Sequence, residues 1–239
     1  MFCSVAFAHT IEWYVGDTLL STTTCESGDN ITPPTAPNKI GYSFKKWKQE
    51  YTQIEYLEST GTQWIQTGII LNENISIHID TQLKNLPQSE NILGGYGNTL
   101  GGRTVSIRAG GGYTRFTFFR ATNTYTPCNT AIDTNRHVFI VDIYNNYVQI
   151  DDCSLSVTDI YPTESNTVSF DIGAYNNSTQ YQWKAKYYNI KFYERDVLIR
   201  DFIPVLDKDG TPCMYDRLEG KFYYNAGTGQ FIAGPVIGE

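Results

Sequence analysis

The sequence predicts an all-β protein whose larger part is an antiparallel β-sandwich. Its 239 residues include 18 Tyr and 12 Phe, while charged residues make up only 18%, and aromatic and β-branched residues favour strands. Apolar and polar residues alternate along several segments, which is the period-two pattern of half-buried strands. Turn residues separate these segments, as in antiparallel hairpins. The length allows one sandwich and a small extra module.

The first 50 residues predict a separate small unit. Residues 1–9 are apolar and lack the Lys/Arg-rich start of a signal peptide, so we interpret them as an interacting arm or a first strand. Ile11–Val15 and Thr18–Thr22 are predicted to pair across a Gly16-Asp17 turn. Three prolines at positions 33, 34 and 37 then stiffen the chain.

The end of this unit carries aromatic residues at fixed spacing, Gly41-Tyr42-Ser43-Phe44-Lys45-Lys46-Trp47. A hairpin, a proline-rich stretch and this motif together resemble the β-grasp repeat of Listeria and Bacteroides surface proteins. The resemblance implies a small β-grasp-like module at residues 10–50, in which Tyr42, Phe44 and Trp47 pack into a miniature core.

Period-two alternation is clearest in the segment from Asn74 to Asp80. Ile75, Ile77 and Ile79 would point to one face, with Ser76, His78 and Asp80 on the other. We expect a structural role for His78 beside Asp80, not a catalytic one. Further strands are predicted at residues 168–175, 185–193 and 198–204.

A hairpin is predicted between His137 and Asp151, with Asn145-Asn146 as a two-residue turn. That turn would pair Tyr144 with Tyr147, placing Ile143 opposite Val148 and Val141 opposite Ile150. The four apolar residues would share the core face.

Two segments frame the sandwich. Residues 55–68, the first framing segment, read Glu-Tyr-Leu-Glu-Ser-Thr-Gly-Thr-Gln-Trp-Ile-Gln-Thr-Gly. The second framing segment, residues 200–229, contains Arg-Asp-Phe-Ile-Pro-Val, Met-Tyr-Asp, Gly-Lys-Phe-Tyr and Asn-Ala-Gly-Thr-Gly. Together they resemble concanavalin A-like (laminin-G-like) proteins of gut bacteria and their phages. The resemblance implies a jelly-roll sandwich at residues 51–239, a surface or virion setting, and a rim Ca²⁺ for which Asp133, Asp151 and Asp171 are candidate ligands.

Several function classes are disfavoured. A net charge of −7 and a pI near 5.0 argue against nucleic-acid binding, and no apolar run reaches the ~20 residues that span a bilayer. The five cysteines show no zinc spacing, so we expect free thiols in a reducing cytosol. Asp207-Lys208-Asp209-Gly210 predicts a tight turn, since the twelfth position of an EF-hand loop would be Leu218. Neither paired glycosidase carboxylates nor a G-x-S-x-G elbow occurs, so we expect no enzyme activity and, Ca²⁺ aside, no cofactor.

One stretch has a local positive charge. No acidic residue lies between Glu90 and Asp133, whereas arginines occur at 103, 108, 115 and 120. Pairing Ile107 with Phe116 and Val105 with Phe118 would set Arg108 opposite Arg115, which is unfavourable unless a negative group offsets it. An anion, an acidic sugar or a neighbouring subunit could do so; alternatively the arginines extend into solvent or pair with Asp142. The candidate glycan or anion site comprises Tyr96, Arg103, Arg108, Tyr113 and Arg115.

The resemblance and the composition together predict a non-catalytic virion protein such as a head fibre, decoration protein or tail fibre. It would assemble in the host cytoplasm, contact capsid or tail proteins, and form a homo-oligomer, by class a trimer. Host or mucosal glycans are its expected ligands, and neither nucleic acid nor membrane insertion is expected. The alternative is a glycan-binding adhesin module of a bacterial surface protein.

Overall fold

A computed structural model describes residues 9–16, 18–25, 31–44, 51–86, 91–97, 104–109, 117–121, 123–157, 169–174 and 183–237. The chain divides into two compact units, Met1–Gln49 (the N-terminal unit) and Glu50–Glu239 (the sandwich unit). In chain order the described strands are β1 (His9–Val15), β2 (Thr18–Cys25), β3 (Thr52–Gln53), β4 (Leu57–Glu58), β5 (Ile65–Ile70), β6 (Ile75–Leu83), β7 (Asn91–Gly97), β8 (Thr104–Ala109), β9 (Thr117–Ala121), β10 (Asn123–Tyr125), β11 (Arg136–Asp142), β12 (Tyr147–Ile150), β13 (Cys153–Ser156), β14 (Ser169–Ile172), β15 (Ala185–Glu194), β16 (Val197–Leu206), β17 (Pro212–Asp216), β18 (Lys221–Tyr223) and β19 (Ile232–Ala233). A 3₁₀ turn, η1 (Pro127–Asn129), lies between β10 and β11.

The N-terminal unit contains the predicted hairpin. β1 and β2 pair antiparallel with a bulge after Trp13, and Gly16 takes the positive φ of +61° that the turn requires. The Trp13 indole N–H donates to the Thr23 hydroxyl at 2.9 Å. All described side chains of the N-terminal unit are half-buried or exposed.

The predicted miniature core is wrong for Tyr42, which is 71% exposed. Its ring contacts the Lys39 ammonium, which lies 4.6 Å from the ring centroid. Trp47 and residues 1–8 of the arm lie outside the described residues, and the β-grasp module stays a prediction.

The sandwich unit confirms the predicted all-β sandwich. One sheet has six strands in the order β10-β9-β8-β7-β14-β5. The other has eleven, in the order β13-β12-β11-β6-β15-β16-β17-β18, with β3, β4 and β19 paired alongside. Every described strand pair is antiparallel.

The core lies between the two sheets. Phe170 of the six-stranded sheet meets Phe192 of the larger sheet edge-to-face, with ring centroids 5.7 Å apart. Phe192 meets Phe202 in the same way at 6.0 Å. Such contacts add about 0.5–1.5 kcal/mol each beyond simple burial. The alternation predicted along β6 is confirmed, because Ile75, Ile77 and Ile79 are buried in this core while His78 and Asp80 are half-buried on the other face.

The β11–β12 hairpin forms, but its predicted register is wrong by two residues. Val141 pairs with Val148 and Phe139 with Ile150. The turn is longer than predicted because the Asp142 carboxylate accepts the Asn145 backbone N–H at 2.7 Å and closes a four-residue loop, in which Asn146 has φ +59°. A shift of two keeps every side chain on its predicted face, so the apolar pattern alone could not detect it.

Candidate functional site

The two framing segments are joined to each other. The Gln63 side chain is 3% exposed; its Oε1 accepts the Thr60 N–H at 2.8 Å and its Nε2 donates to the Thr228 carbonyl at 3.2 Å. The Trp64 N–H donates to Asn225 Oδ1 at 3.1 Å. These contacts join residues more than 160 positions apart, so the start and the end of the sandwich sequence are hydrogen-bonded to each other.

Gly227 is required where these segments meet. A Cβ built on it would lie 2.0 Å from the Thr62 carbonyl oxygen, and 2.8 Å from the Trp64 ring. The Thr228 N–H donates to that same Thr62 carbonyl at 3.0 Å, so the close approach is part of the hydrogen-bonded pairing. The Gly-Thr-Gly sequence therefore allows the backbones of the two framing segments to approach closely and to form a hydrogen bond.

The acidic residues of the second framing segment stabilise turns. Asp216 is fully buried, accepts the backbone N–H groups of Asp201 at 3.1 Å and Leu218 at 3.0 Å, and lies 3.3 Å from Arg200 Nε. Asp201 in turn pairs with Arg217. The predicted turn at Asp207 is confirmed, since its Oδ1 accepts the N–H groups of residues 209 and 211.

The basic stretch is only partly within the described residues. Arg108 lies on β8 opposite Ile92 of β7 and Thr117 of β9. The predicted pairing of Arg108 with Arg115 is therefore wrong, and Ile107 pairs with Phe118 instead of Phe116. A longer β8–β9 connection shifts the register by two, as in the β11–β12 hairpin.

The candidate glycan or anion site stays a prediction, because Tyr96 is the one other member whose backbone the structure describes. Tyr96 is placed by its backbone on β7, opposite Val105. Arg103, Tyr113 and Arg115 lie outside the described residues. For Arg108 the structure gives a contact within its own strand, from Nε to the Ser106 hydroxyl at 3.2 Å.

Two of the three candidate calcium ligands meet at a histidine. His137 Nδ1 lies 2.7 Å from Asp151 Oδ2, and its Nε2 lies 2.9 Å from Asp133 Oδ1. The remaining carboxylate oxygens are also in use, since Asp151 Oδ1 accepts the Val138 N–H and Asp133 Oδ2 accepts the Asn135 amide. Asp171 lies on β14 in the other sheet, fully buried. Among the residues that the structure describes, no group of three or more His, Cys, Asp or Glu could hold a metal ion.

The two carboxylates stabilise the protonated form of His137. Burial lowers its pKa, but the hydrogen bonds and charges of Asp151 and Asp133 outweigh burial, so that the pKa of His137 is raised above 6.5. A ring with both nitrogens engaged by carboxylates has no free lone pair and cannot act as a general base. Sequence reasoning missed this cluster because the wrong hairpin register did not place Asp151 beside the start of β11.

Cys128 and Cys153 form a disulfide, with Cα atoms 6.1 Å apart, a separation typical of such bonds. The prediction that all cysteines are free is wrong for this pair, which joins η1 to β13 over 25 residues of sequence. Cys25 and Cys213 are free thiols, and burial raises the pKa of Cys213 to about 12. Cys3 lies outside the described residues.

A row of aromatic and charged side chains covers the outer face of the larger sheet. Asp80 receives two hydrogen bonds from Arg136, both at 2.7 Å, and the Arg136 guanidinium lies 3.7 Å from the Tyr188 ring centroid. Lys186 covers the Tyr56 ring at 4.0 Å. Asp80 thus pairs with Arg136 and not with His78, which packs against the Tyr193 ring at 4.7 Å. Because the chain's own cations lie over Tyr188 and Tyr56, these rings are stabilising contacts.

Comparison with known proteins adds no family assignment. No protein-family model matches the chain, and no characterised protein matches it. Within the described part of the chain, no helix has the length and apolar character needed to cross a membrane.

Proposed function

We propose that this chain is a non-catalytic structural protein of a bacteriophage virion, a head fibre, decoration protein or tail fibre. It attaches to the particle through its N-terminal unit and exposes its sandwich to the host. The observation that carries the proposal is the contrast between a sandwich whose polar groups serve the fold and an N-terminal unit whose apolar side chains are exposed.

Support for attachment comes from the N-terminal unit. Leu19 and Leu20 are 47% and 44% exposed, and Ile40 is 99% exposed. Exposed apolar side chains grouped in a small unit are typical of surfaces that another protein covers. Another copy of this chain, and in the virion also a capsid or tail protein, would supply that cover.

Support for a non-catalytic role comes from the titratable groups. Asp133, Asp151 and His137 bind one another, and Asp216 serves backbone N–H groups and Arg200. A glycosidase instead needs two carboxylates facing each other across a sugar-binding groove. In the described residues these groups stabilise turns and loops.

The disulfide supports exposure outside the cell. Disulfides persist in oxidising surroundings and are rare in a reducing cytosol. The chain would therefore assemble with free Cys128 and Cys153 thiols and form the bond after release, so that its sandwich works in an extracellular medium.

The virion assignment is tested by mass spectrometry of phage particles purified on a density gradient from the source culture. We expect peptides of this chain to band with capsid and tail proteins. Peptides found only in the washed cell-surface fraction would overturn the assignment. That outcome would favour the second candidate, a glycan-binding adhesin of a bacterial surface protein, whose extracellular location the disulfide fits equally well.

Glycan binding is tested on a glycan array with the purified chain. The proposed ligand is an acidic host or mucosal glycan held by the basic stretch, so Arg108→Ala and Arg115→Ala should each weaken the signal at least several-fold. Arg195→Ala is the matched control, because Arg195 is an exposed arginine bonded to Asn74. Equal binding by all three variants would contradict a glycan site at the basic stretch.

A further inference from the structure

The segment that crosses between the two sheets is fastened twice to the same turn. It leaves the edge strand β10, passes through η1, and enters β11 of the other sheet. The turn at Asp151-Asp152, between β12 and β13, lies against it. This crossover, residues 126–135, has one covalent and one ionic link to that turn.

The covalent link is the Cys128–Cys153 disulfide. Cys128 is exposed and Cys153 is half-buried, so small thiols in solution can reach the bond. Closing the bond oxidises two thiols; the two electrons and two protons pass to a disulfide oxidant such as oxidised glutathione, which leaves as two thiols.

The ionic link passes through the His137 ring. The ring is 8% exposed and lies between Asp133 of the crossover and Asp151 of the turn, at 2.9 and 2.7 Å. Both carboxylates face the ring and favour its charged form, and β6 places the neutral Thr81 opposite. Two carboxylates can both accept hydrogen bonds from the ring only while both ring nitrogens carry protons.

The direction of the pH response follows from these contacts. Burial opposes the charge, but the two carboxylates keep the pKa of His137 above 6.5. The ionic link is therefore complete below pH 6.5 and is lost as pH rises through the raised value. At the acidic end, burial raises the pKa of Asp133, yet its bonds from His137 and Asn135 outweigh this and hold the pKa below 3.8.

We propose that these two links form a redox- and pH-controlled fastening of the crossover, closed by oxidation and by protonation of His137, and open only when the disulfide is reduced and the ring is deprotonated. Its opening would release the β10 edge of the six-stranded sheet, and with it the β8–β9 hairpin that carries Arg108. The inference rests on the geometry of this corner and is independent of the proposed virion role.

Hydrogen exchange followed by mass spectrometry tests the fastening on the full chain. Exchange is measured oxidised and reduced, each at pH 6 and pH 9, after correction for the intrinsic pH dependence of exchange. The peptide spanning residues 123–136 should exchange roughly a hundredfold faster when reduced at pH 9 than when oxidised at pH 6. A reference peptide in β15 and β16 should not change. Equal protection in all four states, or a parallel change in the reference peptide, would overturn the proposal.

Two variants separate the links. Under oxidising conditions, Cys128→Ser should show the pH response that the wild type shows only when it is reduced. Cys25→Ser is the control and should behave like the oxidised wild type. His137→Gln should abolish the pH response and keep the redox response, with His78→Gln, on the same sheet, as the control.

Two measurements on the wild type need no variant to fold. After the chain has been oxidised with oxidised glutathione, alkylation of the denatured, unreduced protein should label three of the five cysteines, and the NMR titration midpoint of His137 should exceed 6.5. Five labelled cysteines, or a midpoint at or below 6.5, would overturn the corresponding half of the fastening.

Discussion

The N-terminal unit and the sandwich unit both contain antiparallel β-structure, yet the apolar side chains of their described residues differ in burial. In the sandwich, Phe192 and Phe202 are fully buried and touch aromatic rings of both sheets. In the N-terminal unit, Leu19, Ile40 and Tyr42 are exposed. Local alternation and turn residues are enough to form strands, but burial needs a second layer to pack against. The comparison therefore contrasts a sandwich that has its own buried core with an N-terminal unit whose described apolar side chains are half-buried or exposed.

Truncating an aromatic residue in each unit gives the largest expected difference. Phe192→Ala should lower the free energy of unfolding of the sandwich by about 3–5 kcal/mol, since it opens a cavity between the sheets. Tyr42→Ala should change it by less than about 0.5 kcal/mol. Chemical denaturation followed by tryptophan fluorescence measures both. A large loss from Tyr42→Ala would contradict the contrast.

Replacing a glycine tests whether the framing segments hold the sandwich closed. Gly227→Ala should cost about 2–3 kcal/mol or more, because the new Cβ meets the Thr62 carbonyl. Gly68→Ala is the control: Gly68 has φ +72° with open space around it, so its cost should be about 1–2 kcal/mol of backbone strain. Thermal unfolding of the two variants should rank them in this order, and the reverse order would mean that the segments do not meet as described.

A pH series tests the contacts within the sandwich, because the two described histidines of the larger sheet, His78 and His137, have pKa values shifted in opposite directions. The raised pKa of His137 gives stability that is present below pH 6.5 and lost at higher pH. Burial lowers the pKa of His78, although Asp142 raises it and Lys191 lowers it further, so its contribution is present above pH 6.5 and lost as pH falls.

His137→Gln should therefore cost about 1–2 kcal/mol at pH 6 and less at pH 9. His78→Gln should remove a loss of stability that appears only on the acidic side. Denaturant titrations at both pH values measure this, and identical profiles for the two variants would refute the assignment of opposite signs.

The smallest expected effect concerns a buried hydroxyl. Tyr187 is 1% exposed, its hydroxyl has no hydrogen-bond partner within the described structure, and a Cβ on Gly173 would lie 2.7 Å from it. Removing an unsatisfied buried hydroxyl should be neutral or stabilising, by up to about 1 kcal/mol. Tyr187→Phe in a denaturant titration checks this, with Tyr188→Phe as the control that loses a real hydrogen bond to Gln82. A clear loss of stability for Tyr187→Phe would show that the hydroxyl has a partner.

Much of the fold could be predicted from sequence because the apolar period and the turn residues are local signals. The strands at residues 75–83, 185–194 and 197–206, the β1–β2 hairpin and the Asp207 turn were all accessible in this way. Strand register was not. In both mispredicted hairpins the true pairing differs by two residues, and a shift of two leaves the facing of every side chain unchanged.

The candidate site was harder to predict because its contacts are not local. Cys128 and Cys153, and likewise Asp133, His137 and Asp151, are brought together by the crossover and the β12–β13 turn. Neither set has a diagnostic spacing. Asp133 and His137 are four apart, a spacing with no structural meaning until a loop is known to connect them.

Solution mass by light scattering tests most directly the claim that the N-terminal unit is an attachment surface. It is measured for the full chain, for the chain without residues 1–9, and for a Leu20→Lys, Tyr42→Lys variant, with Val197→Lys on the exposed sandwich surface as the control. We predict a multiple of 27.1 kDa for the full chain and the control, and one copy of the chain for the other two with unchanged sandwich unfolding. A single-chain mass for all four proteins would contradict the account.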